Sequence, residues 1–283
     1  MTKNEDKYTS LTIAVPIDYE DVFSHFYYAD NKSSAIISKT FLPSYQTILI
    51  FNFGEKAILN SKNSTEVAID RCFVLGPVKQ AFDYSLPPNA QILVANFKDD
   101  GFYRFFGHAA IAEHFPINPD NLVDKNCFTA LWTTLNKIED IHHRVNFILD
   151  FCQPYLRDRS IIAERLANFD DENLNPIKSV ASQQNQTERN IQLNHKKLLG
   201  YTSKEANRYQ RFLKAIAFIQ DIASTSTKID WFGIVNQCGY YDQSQLIHDF
   251  KHYLHISPTK YLKFQQDICM AKADKPHFVF LQF

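Results

Sequence analysis

The 283-residue sequence predicts an α+β protein with a β-rich first half and an all-α second half. Three observations predict this class. Short runs rich in Ile, Val and Phe are separated by turn residues up to about residue 100, and apolar residues recur at helical spacing from about residue 126. Near the C-terminus a glycine separates two amphipathic patterns. Hydrophobic content of 45% and charged content of 22% are ordinary for a folded chain that is long enough for two domains.

The predicted strands of the first half are short runs bounded by turn signals such as Gly76-Pro77. Several short strands at close spacing are typical of a small β-barrel or a sandwich. The runs are 10–15, 35–37, 47–53, 57–59, 67–69, 72–75 and 92–97.

The whole chain has 24 Phe and 14 Tyr, and many of them crowd its first half. Such side chains either line an apolar pocket for a small molecule or fill the core of a β domain, and both alternatives stay open. The residues concerned are Phe23, Phe26, Tyr27, Tyr28, Phe82, Tyr84, Phe102, Tyr103, Phe105 and Phe106.

The pattern becomes helical from about residue 126 to residue 168. One helix face holds Phe128, Leu131, Trp132 and Leu135, and another holds Ile141, Val145, Ile148, Leu149 and Cys152. The charged run 137–144 is expected to form a solvated face, and Pro154 to kink or break the helix. Residues 169–173 show no periodicity, so 169–176 is interpreted as a linker.

The most informative segment is 239–261, which predicts a helix-turn-helix. Gly239 can adopt the positive φ of a tight turn, and Asp242 can cap the helix that follows. Pro258 cannot continue that helix, and Ser257 before it favours extended geometry. The buried face of the predicted helix consists of Leu246, Phe250 and Tyr253. The second helix of such a unit is the one that reads a major groove.

This segment resembles the second helix-turn-helix of the AraC/XylS family of bacterial transcription regulators. The matching residues are Gly239, Tyr240, Asp242, Gln243, Ser244, Phe250, Lys251, Ser257, Pro258 and Tyr261. Two positions depart: His248 stands where the family usually has a basic residue, and His255 where it usually has glycine. The resemblance implies a DNA-binding domain over 177–283 with two helix-turn-helix units. It also implies a cupin-like β-barrel sensor and dimerisation domain over 1–168.

A weaker copy of the motif lies upstream. Residues 177–181 resemble its first helix, Asn185 can replace the turn glycine, and Thr187 can cap the second helix, which Gly200 ends. The alternative interpretation is a generic amphipathic helix. Two residues depart from the family pattern, Leu193 from arginine and His195 from phenylalanine. A long connecting helix is expected from about 204 to 224, and Arg208 and Phe212 suit it.

The resemblance also implies which side chains reach DNA. Base edges are reached from Gln243, Ser244, Ile247 and His248, and phosphates from Lys251, Thr259 and Lys260. On the first recognition helix Arg189 and Gln192 match the family's groove-facing positions, and Thr187 at its start is a further candidate DNA contact. Glutamine can pair bidentately with adenine, isoleucine can contact a thymine methyl group, and lysine binds phosphate without reading sequence.

Charge is distributed unevenly along the chain, although the net charge is only −1. From residue 171 onward there are 14 Lys and Arg against 10 Asp and Glu, which gives +4. The first 170 residues hold 16 and 21, which gives −5. The positive excess therefore lies on the half that carries the motifs, as expected for a DNA-binding domain with few phosphate contacts.

Five cysteines without CxxC spacing indicate a reducing cytoplasm rather than a disulfide framework or a zinc site. No apolar run is long enough to span a membrane, and the polar start is not a signal peptide. No nucleotide-binding, hydrolase or metalloprotease motif occurs, so no cofactor and no enzymatic activity are expected. The isolated histidines His25, His108, His114, His142 and His143 are interpreted as surface or core residues rather than metal ligands.

These observations predict a cytoplasmic transcription regulator that binds double-stranded promoter DNA. The family resemblance implies a homodimer and adds RNA polymerase and a small-molecule effector as candidate partners, with ligand or dimer state setting DNA occupancy. Two alternatives stay open. One is a ligand-binding or enzymatic cupin-like protein with a helical interaction domain, and the other is a family member whose first motif has decayed.

Overall fold

The structure is a computed structural model that describes residues 7–60, 66–109, 111, 116–123, 126–169, 174–225 and 229–274, without the side chains of 225 and 267–274. It combines helices with antiparallel sheets, which confirms the α+β class. The chain divides into two compact units, Met1–Ser203 and Lys204–Phe283. Residues 170–173 of the predicted linker lie outside the described residues, and the predicted domain boundary at 169–176 stays a prediction.

Two antiparallel sheets form most of the first unit. Their strands are β1 Tyr8–Ile13, β2 Phe23–Asn31, β3 Ile37–Phe41, β4 Ile48–Gly54, β5 Ala57–Asn60, β6 Glu66–Ile69, β7 Cys72–Leu75, β8 Phe82–Leu86 and β9 Ala90–Phe97. One sheet has five strands in the order β1-β2-β9-β4-β7, and the other has four in the order β3-β8-β5-β6.

The predicted barrel is not closed, because no ladder joins the two sheets among the described strands. The two sheets instead share one apolar core. Ile48 and Ile92 of the five-stranded sheet pack in the same buried cluster as Leu59 and Leu86 of the four-stranded sheet. Burying one apolar face of each sheet against the other removes both faces from water without requiring closure.

The strands β2 and β8 were not predicted from the sequence. β8 alternates apolar and polar residues over only five positions, and β2 mixes aromatic with polar residues without a regular period, so neither is a simple apolar run. The sequence also placed β3 too early, at 35–37. In the structure Ile37–Phe41 is mostly exposed and pairs with β8, so its hydrophobicity does not mark it as a strand.

Seven helices follow the sheets in the described part of the first unit. They are α1 Gly101–Phe106, α2 Asp120–Val123, α3 Cys127–Leu135, α4 Ile141–Cys152, α5 Ile161–Ala167, α6 Pro176–Gln183 and α7 Glu188–Leu199. The two predicted apolar faces of α3 and α4 are confirmed, since their residues are buried or half-buried. The break predicted at Pro154 is confirmed as well, because α4 ends at Cys152 and a single 3-10 turn follows.

Arg144 corrects the prediction of a solvated face over 137–144. It is 6% exposed, and its Nε donates to the carbonyls of Leu135 (3.1 Å) and Ile138 (2.6 Å). Its guanidinium lies 4.0 Å from the centre of the Phe53 ring. The guanidinium is buried because backbone carbonyls at the end of α3 replace its water, which a charge pattern in the sequence cannot show.

The second unit is helical in its described part. α8 Ser203–Thr225 leads into it and is followed by α9 Trp231–Gln237, α10 Gln243–Leu254 and α11 Pro258–Asp274. The long connecting helix predicted over 204–224 is confirmed. Phe212 of α8 packs edge-on against Phe250 of α10 and at a tilt against Tyr253, with ring centroids 5.1 and 4.5 Å apart. Of the helices that the structure describes, none is long and apolar enough to cross a membrane.

Candidate nucleic-acid interface

The turn between α9 and α10 has the geometry that the sequence predicts. Gly239 has φ +73°, and the Asp242 side chain accepts a hydrogen bond from the backbone N–H of Gln245 at 2.8 Å. The Gln245 side chain in turn accepts from the N–H of Tyr241 at 3.3 Å. This reciprocal pair satisfies two N–H groups at the start of α10 and fixes where that helix begins.

The buried face of α10 is confirmed, since Leu246, Phe250 and Tyr253 have no measurable exposure. α10 ends in a left-handed residue, His255, with φ +62°. Its Nδ1 donates to the carbonyl of Lys251 at 3.2 Å, which stabilises a conformation that glycine would adopt at lower cost.

A buried carboxylate lies on the same face. Asp249 is 3% exposed and accepts from Nε of Arg208 at 2.6 Å and from Nη2 of Arg211 at 3.4 Å. Both arginines belong to α8, so the ion pairs fix the position of α10 on α8. The Arg211 guanidinium lies 4.5 Å from the centre of the Tyr240 ring, and burial together with the nearby Asp249 raises the pKa of Tyr240.

The opposite face of α10 carries the predicted base-reading residues. Gln243, Ser244, His248 and Lys251 are exposed, and Ile247 is half-buried. One of them is not free to rotate, because Nη2 of Arg208 donates to Nδ1 of His248 at 3.0 Å. The helix therefore presents a polar strip to solvent while its apolar strip holds it on α8.

The start of α11 is where the sequence predicts a phosphate site. Thr259 and Lys260 are exposed in its first turn. The Ser257 hydroxyl, however, accepts from the N–H of Lys260 at 3.3 Å, so fewer N–H groups than expected face an anion. Burial raises the pKa of Tyr261, in the same turn, to about 12, and its hydroxyl accepts from the Gln220 amide at 3.0 Å.

The upstream copy of the motif is also formed. Asn185 takes φ +52° in the turn after α6, and the Thr187 hydroxyl accepts from the N–H of Asn190 at 3.2 Å at the start of α7. Gly200 ends α7 with φ +81°. The three local expectations for this segment are confirmed, including an asparagine in the place of a turn glycine.

α7 packs against α5 and α6 within the first unit. Ile191 packs with Ile162 of α5 and Val180 of α6, and Leu198 and Leu199 pack with Ala163 of α5. At the end of the helix a Cβ on Gly200 would lie 2.5 Å from the carbonyl oxygen of Ala109. α7 is therefore packed along its length against α5 and shares a core with it.

The segment that follows α7 is half-buried. The Tyr201 ring packs edge-on against Tyr45, with centroids 5.0 Å apart, and burial raises the pKa of Tyr201. His195, which stands in a family phenylalanine position, donates from Nδ1 to the carbonyl of Tyr201 at 2.8 Å. A buried imidazole with a satisfied N–H therefore replaces the expected apolar ring.

The solvent face of α7 carries Thr187, Arg189 and Gln192, all of them exposed. Leu193 lies on the same face and is 61% exposed. This face is less polar than that of α10 because a leucine occupies its centre.

An apolar cavity lies between the two sheets of the first unit. Its volume is about 20 Å³, which is room for little more than one water molecule. Its lining includes Tyr27, Phe41, Ile50, Leu59, Phe82 and Tyr84. The Tyr27 hydroxyl lies 3.0 Å from that of Tyr8 and 3.4 Å from that of Tyr84.

The aromatic residues that the sequence singled out divide between two locations. Tyr27, Phe82 and Tyr84 line the cavity. The others pack in the second core of this unit, between the five-stranded sheet and α1, α3 and α4; they are Phe23, Phe26, Tyr28, Phe102, Tyr103, Phe105 and Phe106. The core-filling alternative therefore applies to most of the set.

No three His, Cys, Asp or Glu side chains in the described part of the chain converge on a point that could hold a metal ion. His114 lies outside the described residues. Burial lowers the pKa of His25 and raises that of Cys238, which is 5% exposed beside the turn glycine. A thiol with a raised pKa is a poor nucleophile, so Cys238 is a buried apolar residue at the end of α9 rather than a reactive thiol.

Sequence reasoning missed the cluster around Asp249. One signal was present: Asp249 follows Leu246 by three residues and precedes Phe250, so it falls on the buried face of α10. A carboxylate on a buried face requires a cation from a neighbouring helix, and Arg208 was already placed on that helix. The contact between Arg208 and His248 had no sequence signal.

Comparison with protein-family models and with curated protein sequences gives no match. Similar solved structures include ToxT from Vibrio cholerae, with 13% identity over 91% of this chain and 98% of that chain and a TM-score of 0.38. Unsaturated fatty acid-bound ToxT gives 12% identity, coverage of 93% and 97%, and a TM-score of 0.36. Iron(II) HppE covers 34% of this chain and 53% of its own, with 11% identity and a TM-score of 0.25. TM-scores of this size do not establish a common fold and carry no weight for function.

Proposed function

We propose that this protein is a sequence-specific DNA-binding transcription regulator of the AraC/XylS type. It binds double-stranded promoter DNA by placing α10, and to a lesser degree α7, in the major groove. The main support for the proposal is the way in which α10 is positioned and exposed. Its N-terminus is fixed by a cap, its apolar face is buried, and its opposite face exposes Gln243, Ser244 and His248. An exposed helix face of this composition suits base edges.

α7 supports the same function with less recognition capacity. It exposes Arg189 and Gln192 beside Leu193, so it can offer one cation and one amide to DNA. Thr187 at its cap, together with Lys251, Thr259 and Lys260 in the second unit, is suited to phosphate oxygens. RNA polymerase is the expected partner of such a regulator once it is bound at a promoter.

Control by a small apolar ligand comes from the sequence resemblance, because the cavity between the two sheets has an apolar lining but room for little more than one water molecule. The present size of the cavity requires the side chains around it to move before a ligand can enter. Control by homodimerisation is supported by apolar side chains on the surface of the α4–α5 region, where Tyr155 is 58% and Ile161 49% exposed. Analytical ultracentrifugation of the full chain, with and without bound DNA, tests the second form of control.

Selection of binding sites from a random double-stranded DNA library tests the function itself. The full chain is expected to enrich one sequence motif, and a Gln243→Ala/His248→Ala double variant to lose that enrichment. Gln210→Ala is the matched control, because Gln210 is an exposed amide of α8 outside the motif, and its variant should enrich the same sequence. A wild-type chain that enriches no sequence would favour the ligand-binding alternative.

A further inference from the structure

We propose that Arg208 is a positioning residue that makes His248 read DNA as a hydrogen-bond donor only. His248 then favours a base with major-groove acceptors, guanine above all, and disfavours cytosine at the contacted position. This inference rests on the proposed function, and it adds a specificity device that no motif in the sequence indicates.

Geometry places one guanidinium between a buried carboxylate and an exposed imidazole. Nε of Arg208 lies 2.6 Å from Oδ1 of Asp249, and Nη2 lies 3.0 Å from Nδ1 of His248. Asp249 is 3% exposed, whereas His248 is exposed on the face that also carries Ser244. The planar fork of the guanidinium, held at one edge by the carboxylate, fixes the direction in which its other amine points.

Hydrogen-bond chemistry then determines the tautomer of His248. Arginine has donors and no acceptor, so Nδ1 of His248 must accept and cannot carry a proton. A neutral imidazole with an unprotonated Nδ1 carries its proton on Nε2. The exposed edge of the ring therefore offers one N–H donor and no acceptor.

A donor distinguishes bases in the major groove. Guanine presents two acceptors there, O6 and N7, whereas cytosine presents only the N4 amino donor. Adenine and thymine each present one acceptor, so they rank between the two. An imidazole without this constraint can move its proton to Nδ1 and accept from the cytosine or adenine amino group with Nε2, which would erase the preference.

Two conservative substitutions separate positioning from general loosening of the ion pair. Arg208→Lys keeps a cation beside Asp249, but one ammonium group cannot span both partners as a planar fork does. Arg211→Lys is the matched control, because Arg211 also pairs with Asp249, at 3.4 Å, and has no hydrogen bond to His248 in the described structure. Circular dichroism of each variant checks that the helices are retained.

The first measurement is the nitrogen NMR spectrum of the His248 ring in the full chain, at about pH 8, where an ordinary imidazole is neutral. The signal is assigned by its loss in His248→Ala. Wild type and Arg211→Lys should show Nδ1 unprotonated and Nε2 protonated, and Arg208→Lys should show averaging of the two nitrogens. A protonated Nδ1 or averaging in the wild type would overturn the inference, and beyond the His248→Ala assignment this result needs neither an Arg208 variant nor DNA.

The second measurement compares affinity for the four bases at the position whose preference His248→Ala removes. Wild type and Arg211→Lys should disfavour cytosine about five- to tenfold relative to guanine, as the loss of one hydrogen bond implies. Arg208→Lys should reduce that ratio to near one. An unchanged ratio in Arg208→Lys, or an equal loss in Arg211→Lys, contradicts the inference while leaving the proposed function intact. Failure of the wild type to select any sequence instead refutes the proposed function.

Discussion

Two glycines with the same backbone conformation but different surroundings allow a direct test of how α7 is held. Gly200 ends α7 with φ +81°, and Gly239 precedes α10 with φ +73°. A Cβ on Gly200 would lie 2.5 Å from the carbonyl oxygen of Ala109 and 3.0 Å from Cγ of Pro77, whereas a Cβ on Gly239 would meet nothing within 4 Å. Replacing each by alanine therefore separates backbone strain from steric overlap.

The expected magnitudes follow from these distances. Placing alanine in the left-handed region costs about 1–2 kcal/mol, and this is the whole effect expected for Gly239→Ala. Gly200→Ala adds the displacement of a packed backbone, which costs about 1–3 kcal/mol more. The total expected for Gly200→Ala is therefore about 2–5 kcal/mol.

Native-state hydrogen exchange measures the effect where it occurs. The opening free energy is read at the amides of the last turn of α7 for one variant and of the first turns of α10 for the other. This local measurement is needed because a chain of two compact units need not unfold in one step. Equal losses in the two variants would refute the reasoning that α7 is packed against the loop around Ala109.

Three further predictions concern DNA. Gln243→Ala should cost about 1–3 kcal/mol at one base position and relax specificity there, so an unchanged binding-site motif would contradict its assignment. Arg189→Ala should weaken binding less than Gln243→Ala and His248→Ala together, and titrations on one operator that give the reverse order would exchange the ranks of α7 and α10. Lys251→Ala should lower the slope of log affinity against log salt by about one unit at specific and non-specific sites alike. Replacing the exposed Lys214 of α8 by alanine should leave that slope unchanged. Parallel lines for wild type and Lys251→Ala would show that Lys251 makes no phosphate contact.

Local features of the second unit were predictable from sequence because each depends on few residues. A glycine before a capped amphipathic pattern defines its own geometry, so the roles of Gly239 and Asp242 and the burial of Phe250 followed from the chain alone. The same holds for Asn185, since asparagine tolerates the left-handed region.

Features that depend on distant partners were not predictable. Arg144 is buried because the carbonyls of Leu135 and Ile138 meet it at the end of α3, and β2 is a strand because β1 and β9 pair with it. The contact from Arg208 to His248 spans 40 positions, so no local pattern contains it.

The packing of α7 determines where the chain can be cut into fragments that keep their folded cores. A fragment that begins at residue 177, as the motif boundaries propose, keeps α6 and α7 but lacks α5. The side chains that Ile162 and Ala163 cover, among them Ile191 and Leu198, would then face water. Replacing the N-terminal half, α5 included, with a domain of another protein would expose the same side chains. A graft that retains α5 keeps the contacts of Ile162 and Ala163 but still loses those of Ala109 with Gly200 and of Tyr45 with Tyr201, so no cut between α5 and α7 or just before α5 leaves α7 fully packed.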